Sequence, residues 1–194
     1  MPNMEALPLE PDGYSGTYKL IGGRLALDFI NTVSWAGTNR EHDWLSSTAN
    51  AADWCAAVGI EVGRLINADL PAIRQLRHDL AQAIRPLAHG EQPTAAAIDT
   101  MNDRMAIVHR LRRIDAVALA WFWEGQSSAV DWFAPVVLDA AEVLTGDRRN
   151  RLKHCPSCDW LFDDQTRNGQ RRWCDMTDCG SRAKSRDYYY RTRH

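Results

Sequence analysis

Apolar residues recur at helical spacing through most of the first 147 positions of the chain. The clearest case is the segment PAIRQLRHDLAQAIRPLA. Its apolar stripe consists of Ile73, Leu76, Leu80, Ile84 and Leu87. Because residues three and four apart share one face of a helix, this segment is predicted to be an amphipathic helix that Pro86 kinks or ends. A second stripe predicts another helix from about Thr94 to His109.

Capping residues set the bounds of further helices. A serine or threonine at 47–48 starts the helical segment TANAADWCAAV, and Gly59 follows it. The serines at 127–128 likewise precede VDWFAPVVLDAAEVL, which Gly146 closes. Hydroxyl side chains favour helix N-caps and glycine favours the position after the C-cap, so both segments are predicted to be helices. The segment LDFINTV predicts a shorter helix.

Two segments indicate β structure. TYKLIGGRLA is predicted to form a hairpin turned by Gly22 and Gly23, and IDAVALAWFW is predicted to be a strand. The predicted fold class is therefore mainly α (α+β), with a helix-rich domain at residues 15–147 and a small second unit at residues 148–194. We call these the body and the finger. Residues 1–14 are acidic and contain prolines, and they are predicted to be a flexible arm.

Charge is segregated between the two parts of the chain. Residues 1–147 carry 11 Lys and Arg against 19 Asp and Glu, a net −8, whereas residues 148–194 carry 12 against 6, a net +6. A basic end on an acidic body is typical of a chain whose end meets a polyanion. No secretory signal or apolar run of about 18 residues is visible, so we expect a cytoplasmic protein with no membrane partner.

Four of the five cysteines lie close together in the finger. Their spacing is Cys155-x2-Cys158-x15-Cys174-x4-Cys179. Four thiolates can enclose one Zn²⁺ tetrahedrally, and a two-residue gap lets the first pair bind from a single turn. Two disulfides, or four unrelated reduced cysteines, are the less favoured alternatives. With a thiolate at every position no ligand site stays open, so the predicted cofactor is one structural zinc ion. The fifth cysteine, Cys55, is predicted to be a buried core thiol.

The segments around these cysteines predict a treble-clef-like unit. It consists of the tight turn that carries the first cysteine pair, called the knuckle, then a hairpin, then a C-terminal helix. WLFDD and QRRWC read as two strands joined at Asn168 and Gly169, and the helix would begin at Cys179. On that helix Arg182, Arg186 and Arg193 share one face. We expect basic residues of the finger to contact nucleic acid. The candidates are Arg171, Arg172, Arg182, Lys184, Arg186, Arg191 and Arg193.

The chain resembles a known family in both of its parts. CPSCDWLFDDQTRNGQRRWCDMTDCGSRAKSRDYYYRTR resembles the CGNR zinc finger, and GGRLALDFINT resembles the start of the ABATE domain of stress-induced transcription regulators. The resemblance implies zinc bound by the four cysteines and a role in DNA binding. One position departs from the family: CGNR reads CGSR here, with Ser181 in place of asparagine.

The leading hypothesis is therefore a transcription regulator that binds duplex DNA through the finger. The body would act as a sensor or an oligomerisation module, with a small-molecule effector and a homodimer as further expected partners. Asp28, Asn31 and Thr32 are candidates for a ligand pocket, although ordinary core packing is the more common role for such residues. A protein adaptor that uses the arginine face is the first alternative. A zinc-stapled enzyme is the second, but no catalytic motif is visible, so we expect no enzyme activity.

Overall fold

The computed structural model of the protein describes residues 6–11 and 16–193, without the side chains of Asp187 and Arg193. The α-helices of this part are α1 (Leu25–Ile30), α2 (Thr48–Ala57), α3 (Leu70–Ala88), α4 (Ala95–Leu111), α5 (Ala134–Thr145) and α6 (Ser181–Arg193). The strands are β1 (Ala6–Leu7), β2 (Tyr18–Lys19), β3 (Val33–Ser34), β4 (His42–Asp43), β5 (Arg112–Ile114), β6 (Trp121–Trp123), β7 (Leu152–His154) and β8 (Leu161–Asp163). The strands form four antiparallel pairs in chain order. Because each strand has only two or three residues and the helices are longer, the predicted mainly α class is confirmed.

The short helix α1 lies at the centre of the body and packs against α3 and α5. It is apolar on nearly every side, which suits a helix surrounded by other elements rather than one at the surface. Phe29 is fully buried, with its ring 4.9 Å from that of Phe133 and 5.4 Å from that of Trp54. No helix among the described residues is both long and apolar enough to cross a membrane.

The predicted caps of α2 and α4 are confirmed, whereas the serines at 127–128 precede a 3-10 helix, Ala129–Phe133, and α5 begins only after it. The Ser47 hydroxyl accepts a hydrogen bond of 3.1 Å from the backbone N–H of Asn50, and the Thr94 hydroxyl accepts one of 3.2 Å from Ala97. Each bond satisfies one of the N–H groups that a helix start leaves without a partner in the helix. Pro86 lies in the last turn of α3, which ends at Ala88, so the proline closes this helix rather than dividing it.

The N-terminal β structure differs from the prediction. Strand β2 pairs with β1 rather than with residues after Gly22 and Gly23, which instead lead directly into α1. Residues 6–11 had been assigned to a flexible arm, yet Leu9 is buried and the Glu10 N–H donates to the Asn50 side chain at 3.0 Å. This part of the arm packs on the body because β1 covers the edge of β2. Residues 1–5 and 12–14 of the predicted arm lie outside the described residues.

The hairpin of the finger also differs from the prediction. Strands β7 and β8 pair around the first cysteine pair, whereas residues 170–173 form no strand. The turn at Gly169 exists, with φ of +61°, but side chains satisfy the backbone after it. The Asp164 carboxylate accepts from the Arg171 N–H at 2.9 Å, and the Lys153 ammonium donates to the Arg171 carbonyl at 3.1 Å. These side-chain bonds replace the ladder that a second strand would need.

The body and the finger share one hydrophobic core. The Asn31 amide donates to the Leu161 carbonyl at 2.8 Å and accepts from the Leu161 N–H at 2.7 Å. The Asp163 N–H donates to the Gly22 carbonyl at 2.8 Å, and the Tyr18 and Trp160 rings meet at 5.4 Å. Strand β8 therefore lies against α1. The finger packs directly on the body and is not connected to it through a flexible linker alone.

The buried Asp28 carboxyl should make stability depend on pH. Burial raises its pKa to about 7, above about 3.9 in an unfolded chain. Between these values the folded protein holds a proton that the unfolded chain releases, so the free energy of unfolding falls as pH rises. From pH 5 to pH 7 the fall due to this group should be about 2 kcal/mol. Urea unfolding at both pH values measures it.

Asp28→Asn should flatten that dependence because the amide does not titrate. The matched control is Asp99→Asn on the exposed side of α4, which should keep the wild-type slope. If the free energy of unfolding changes equally with pH in the wild type and in Asp28→Asn, the pKa of Asp28 is not raised in the folded protein.

Candidate metal centre and basic helix

The first cysteine pair lies in a tight turn between β7 and β8. The Cys155 N–H donates to the Trp160 carbonyl and the Asp159 N–H donates to the Cys155 carbonyl, both at 2.8 Å. Asp159 has a left-handed φ of +63°, a conformation that aspartate tolerates better than most residues. This turn reverses the chain and brings the thiols of Cys155 and Cys158 to the same side.

The second pair is set by a single turn of π-helix, Met176–Gly180. The Asp175 carboxylate starts this turn by accepting from the Thr177 N–H at 2.8 Å. It also binds the Lys19 ammonium at 2.8 Å, which ties the turn to β2 of the body. Cys174 precedes the turn and Cys179 lies within it, so only Gly180 separates the last ligand from α6.

The four thiols form a compact buried cluster, and we call them the zinc cysteines. Their members are Cys155, Cys158, Cys174 and Cys179. All four sulfur atoms lie within 4.8 Å of one another, with 3.5 Å between Cys158 and Cys174 and 3.6 Å between Cys174 and Cys179. Tetrahedral zinc with Zn–S bonds of about 2.3 Å places its sulfurs about 3.8 Å apart, whereas a disulfide requires about 2 Å.

This geometry fits one zinc ion and excludes disulfides, since all five cysteines are free thiols. The zinc cysteines are therefore positioned to bind one zinc ion. When bound, zinc supplies four bonds that hold the knuckle, the π-helical turn and the start of α6 together. Hydrogen bonds among the thiols lower the pKa of Cys155 but raise the pKa values of Cys158 and Cys174, so bound zinc itself would keep all four as thiolates.

Cys55 is also a buried free thiol, but its surroundings differ from those of the zinc cysteines. It is fully buried in α2, far along the chain from the other thiols, and burial raises its pKa to about 12. A thiol held in its neutral form in an apolar environment is a packing group rather than a ligand. The prediction of a core thiol is confirmed, and Cys55 offers a matched control for the zinc cysteines.

A second cluster places side chains of His89, His154 and Asp159 within 4.8 Å of one another. The two imidazole rings are stacked, with centres 3.9 Å apart and planes only 26° from parallel. One nitrogen of each ring approaches the same Asp159 oxygen, His89 Nε2 at 3.7 Å and His154 Nδ1 at 3.4 Å, so both imidazoles already face a carboxylate partner. The Arg85 guanidinium, moreover, already pairs with Asp159. The cluster is explained by this ion pair and ring stacking rather than by a metal.

Helix α6 stands out from the rest of the molecule. Its residue contacts are chiefly with the π-helical turn before it, and of its described side chains only Ala183 is buried. At 100° per residue, Arg186 lies about 40° from Arg182 around the axis, while Lys184 and Arg191 lie on the other side of Ala183. Two rows of cations therefore flank a ridge that points away from the body. The ridge consists of Ser185, Tyr188, Tyr189 and Thr192.

The structure divides the predicted basic set. Lys184, Arg186 and Arg191 are exposed on α6, and Arg172 is exposed on the segment before it. The side chain of Arg193 lies outside the described residues, although its backbone continues α6.

Arg182 is exposed but already has partners in the finger. Its Nη2 donates to the Cys179 sulfur at 3.4 Å and pairs with Asp178 at 3.2 Å. It therefore stabilises a thiolate ligand as well as contributing to the row.

Arg171 has a structural role. Its guanidinium donates to the backbone carbonyls of Ile21 at 3.2 Å and Trp173 at 3.1 Å, and also to that of Cys174. It stacks on the Phe162 ring at 4.4 Å. These contacts occupy the face that a phosphate would need, so its assignment to a nucleic-acid surface is corrected: Arg171 joins the finger to the body.

The three residues proposed for a ligand pocket are buried and hydrogen-bonded within the protein. Asp28 accepts from the Gly22 N–H at 2.7 Å, Asn31 binds Leu161 as described above, and the Thr32 hydroxyl donates to the Phe29 carbonyl at 2.7 Å. These bonds bend the chain into α1 and hold β8 in place. The structure thus places these side chains in the core rather than around an open cavity.

A cysteine-bound zinc site that anchors a basic terminal helix defines a zinc-finger protein. Here the finger is joined to a helical body through a common core. The ABATE family model, described as "Putative stress-induced transcription regulator", matches residues 23–147, and the CGNR zinc finger model matches residues 151–192. The chain therefore belongs to the ABATE family and carries a CGNR zinc finger. Comparison with curated proteins finds no match.

Proposed function

We propose that the protein is a transcription regulator that inserts α6 into the major groove of duplex DNA. The observation that carries the proposal is the arrangement of α6, whose described side chains are exposed apart from Ala183 and whose two rows of cations flank a polar and aromatic ridge. The family description as a transcription regulator supports the same reading.

The dimensions of α6 suit this role. The major groove is about 12 Å wide, which admits an α-helix of about 10–12 Å diameter. A helix in the groove meets phosphates on both sides and base edges at the floor. Arg182 and Arg186 would face one wall while Lys184 and Arg191 face the other. The ridge between them carries hydroxyl groups and tyrosine rings that can contact base edges.

Charge segregation supports binding in one orientation. Residues 1–147 carry a net −8 and residues 148–194 a net +6, so the duplex attracts the finger and repels the body. Zinc would act here as a scaffold, because the bonds of Cys174 and Cys179 fix the point from which α6 projects. The binding energy itself would come from the cations of α6.

The helical body would serve as a sensor or an oligomerisation module in this proposal. A cleft of about 410 Å³ lies between it and the finger, and its walls come from both. Lys19 and Trp35 line it from the body, and Trp160, Cys158 and Cys179 line it from the finger. A small effector in this cleft would contact the surroundings of two zinc ligands, which couples its binding to the position of α6.

Salt dependence of duplex binding tests the proposal. If about five phosphates are neutralised, the slope of log K against log salt should be near −4.5. The Lys184→Ala, Arg186→Ala double variant removes two of these contacts, so its slope should be near −2.7 and its affinity at low salt should be lower. Fluorescence anisotropy with a labelled duplex measures both quantities.

The matched control removes two positive charges from the exposed surface of the body. Arg64→Ala with Arg110→Ala changes the net charge equally and should leave the slope near the wild-type value. If the α6 variant and this control bind alike, α6 is not the contact surface. Binding of an acidic polypeptide in preference to the duplex would favour the adaptor alternative, and digestion of the labelled duplex by pure protein would favour the enzyme.

A further inference from the structure

The hairpin formed by β5 and β6 exposes an unusual amount of apolar surface, and we call residues 112–123 the apolar arm. Every residue from Ala116 to Phe122 is exposed, and none of the seven is polar. Val117 is 95% exposed and Leu119 81%. Half of the exposed large hydrophobic residues of the described chain lie in this arm. They are Ile114, Val117, Leu119, Trp121 and Phe122. A contiguous patch of this kind marks an interaction surface.

The tip of the apolar arm is held by hydrogen bonds and ring stacking. The Asp115 carboxylate accepts from the N–H groups of Val117 at 2.9 Å and Ala118 at 2.6 Å, and the Asp115 N–H donates to the Ala120 carbonyl at 2.8 Å. The Arg112 guanidinium stacks over the Trp121 ring at 4.2 Å. A surface that is already ordered loses little conformational entropy when a partner covers it.

The arm has open strand edges within the described residues, because β5 and β6 form a two-stranded sheet. Asp115 bonds to Ala120 and the Glu124 N–H donates to the Leu111 carbonyl, so alternate residues of each strand bond inward. In β6 the inward residue is Phe122. The N–H and C=O groups of Trp121 and Trp123 are consequently directed to the open edge, where another strand can pair with them.

Charge decides which edge suits a second copy of the chain. Antiparallel pairing of two β5 strands about a twofold axis at their middle residue would place Arg113 opposite Arg113 of the second copy, and like charges directly opposite are unfavourable. Pairing of two β6 strands about Phe122 places Trp121 opposite Trp123 of the second copy. That register brings aromatic pairs together and opposes no like charges.

We propose that two copies of the protein associate through their β6 edges, pairing antiparallel about a twofold axis at Phe122. The two hairpins then form one four-stranded sheet, and Val117, Leu119 and Trp121 of each copy become covered. A twofold interface of this kind is self-complementary and closes at two chains. The proposal rests on the arm alone and does not depend on DNA binding.

Charge complementation at Phe122 tests the proposal in the full chain. Phe122 is only partly buried, at 40% exposure, so Phe122→Glu and Phe122→Lys should both fold. Each variant alone places two like charges across the axis and should be monomeric, with a mass of 21.9 kDa by light scattering. An equimolar mixture places Glu opposite Lys and should recover the doubled mass that the wild type shows.

Controls separate assembly from folding. Both variants should keep the wild-type circular dichroism spectrum and one zinc per chain, and Ile66→Glu, at an exposed apolar residue outside the arm, should remain dimeric. A wild-type chain that stays monomeric at about 100 times the concentration of ordinary assays overturns the proposal. So does a dimer that survives both Phe122 variants, or a mixture that fails to recover the doubled mass.

Discussion

Cys174→Ala should give a chain that binds no zinc, has an unfolded finger and has a destabilised body. Structural zinc contributes on the order of 10 kcal/mol to the folding of small domains, and the finger is too short to bury a sufficient core without it. The body is affected because β8 contributes Leu161 and Phe162 to the common core, and both are fully buried. A decrease of several kcal/mol in the free energy of unfolding should lower Tm by on the order of 10 °C or more.

Elemental analysis measures the loss of zinc from Cys174→Ala, and thermal unfolding measures the decrease in its Tm. Cys55→Ala is the control, because it also removes a buried thiol but should keep one zinc per chain and cost about 1 kcal/mol. Chelation of zinc from the wild type should reproduce the Cys174→Ala result. A Cys174→Ala chain that retains full zinc content and the wild-type Tm would contradict the four-cysteine site.

Asn31→Ala should destabilise the protein by about 2–6 kcal/mol without removing zinc. The Asn31 side chain is fully buried and satisfies both the N–H and the C=O of Leu161. Alanine leaves two backbone groups in the core without a partner, and each costs about 1–3 kcal/mol. Because the zinc cysteines are unchanged, elemental analysis should still find one zinc per chain while urea unfolding shows the loss.

The control for this variant is Asn102→Ala on the exposed face of α4, which should change the free energy of unfolding by less than about 0.5 kcal/mol. Asn31→Asp adds a further test, because a carboxylate still accepts from Leu161 N–H but cannot donate to its C=O. It should be at least as destabilising as alanine at neutral pH. An Asn31→Ala variant as stable as the control would mean that β8 is held by packing alone.

The zinc cysteines and the helices were accessible from the sequence because their signals are local. Ligands such as Cys155 and Cys158 lie within one turn, and the helix stripes repeat every three or four residues. The caps at Ser47 and Thr94 act over three residues. Distant parts of the chain affect such signals little, although the equally local hairpin signal at Gly22 and Gly23 failed because β2 pairs with β1.

The junction between the body and the finger was not accessible, because its bonds join residues far apart in the chain. Asn31 and Leu161 are separated by 130 positions. No periodicity connects them, and a buried asparagine looks the same in sequence as one that lines a pocket. The predicted role of Arg171 was wrong for a related reason. In the sequence, an arginine that binds backbone carbonyls cannot be distinguished from one that binds phosphate.

The missing second strand of the finger shows how side chains override a turn signal. The Asn168-Gly169 turn formed as predicted, yet Asp164 and Lys153 satisfied the backbone that follows. The sequence contained both residues, but only the fold brings them to that segment. The terminal helix after Cys179 was correctly expected, whereas its projection from the body was not decided by its own sequence.

The attachment of β8 to α1 also determines when the body can finish folding during synthesis. Translation proceeds from the N-terminus, so Asn31 and Gly22 are made long before Leu161 and Asp163 exist. Until the ribosome reaches β8, the body lacks the strand that covers one side of α1. A nascent or truncated chain that ends before Leu161 therefore displays an open core, which closes only after β8 has been made.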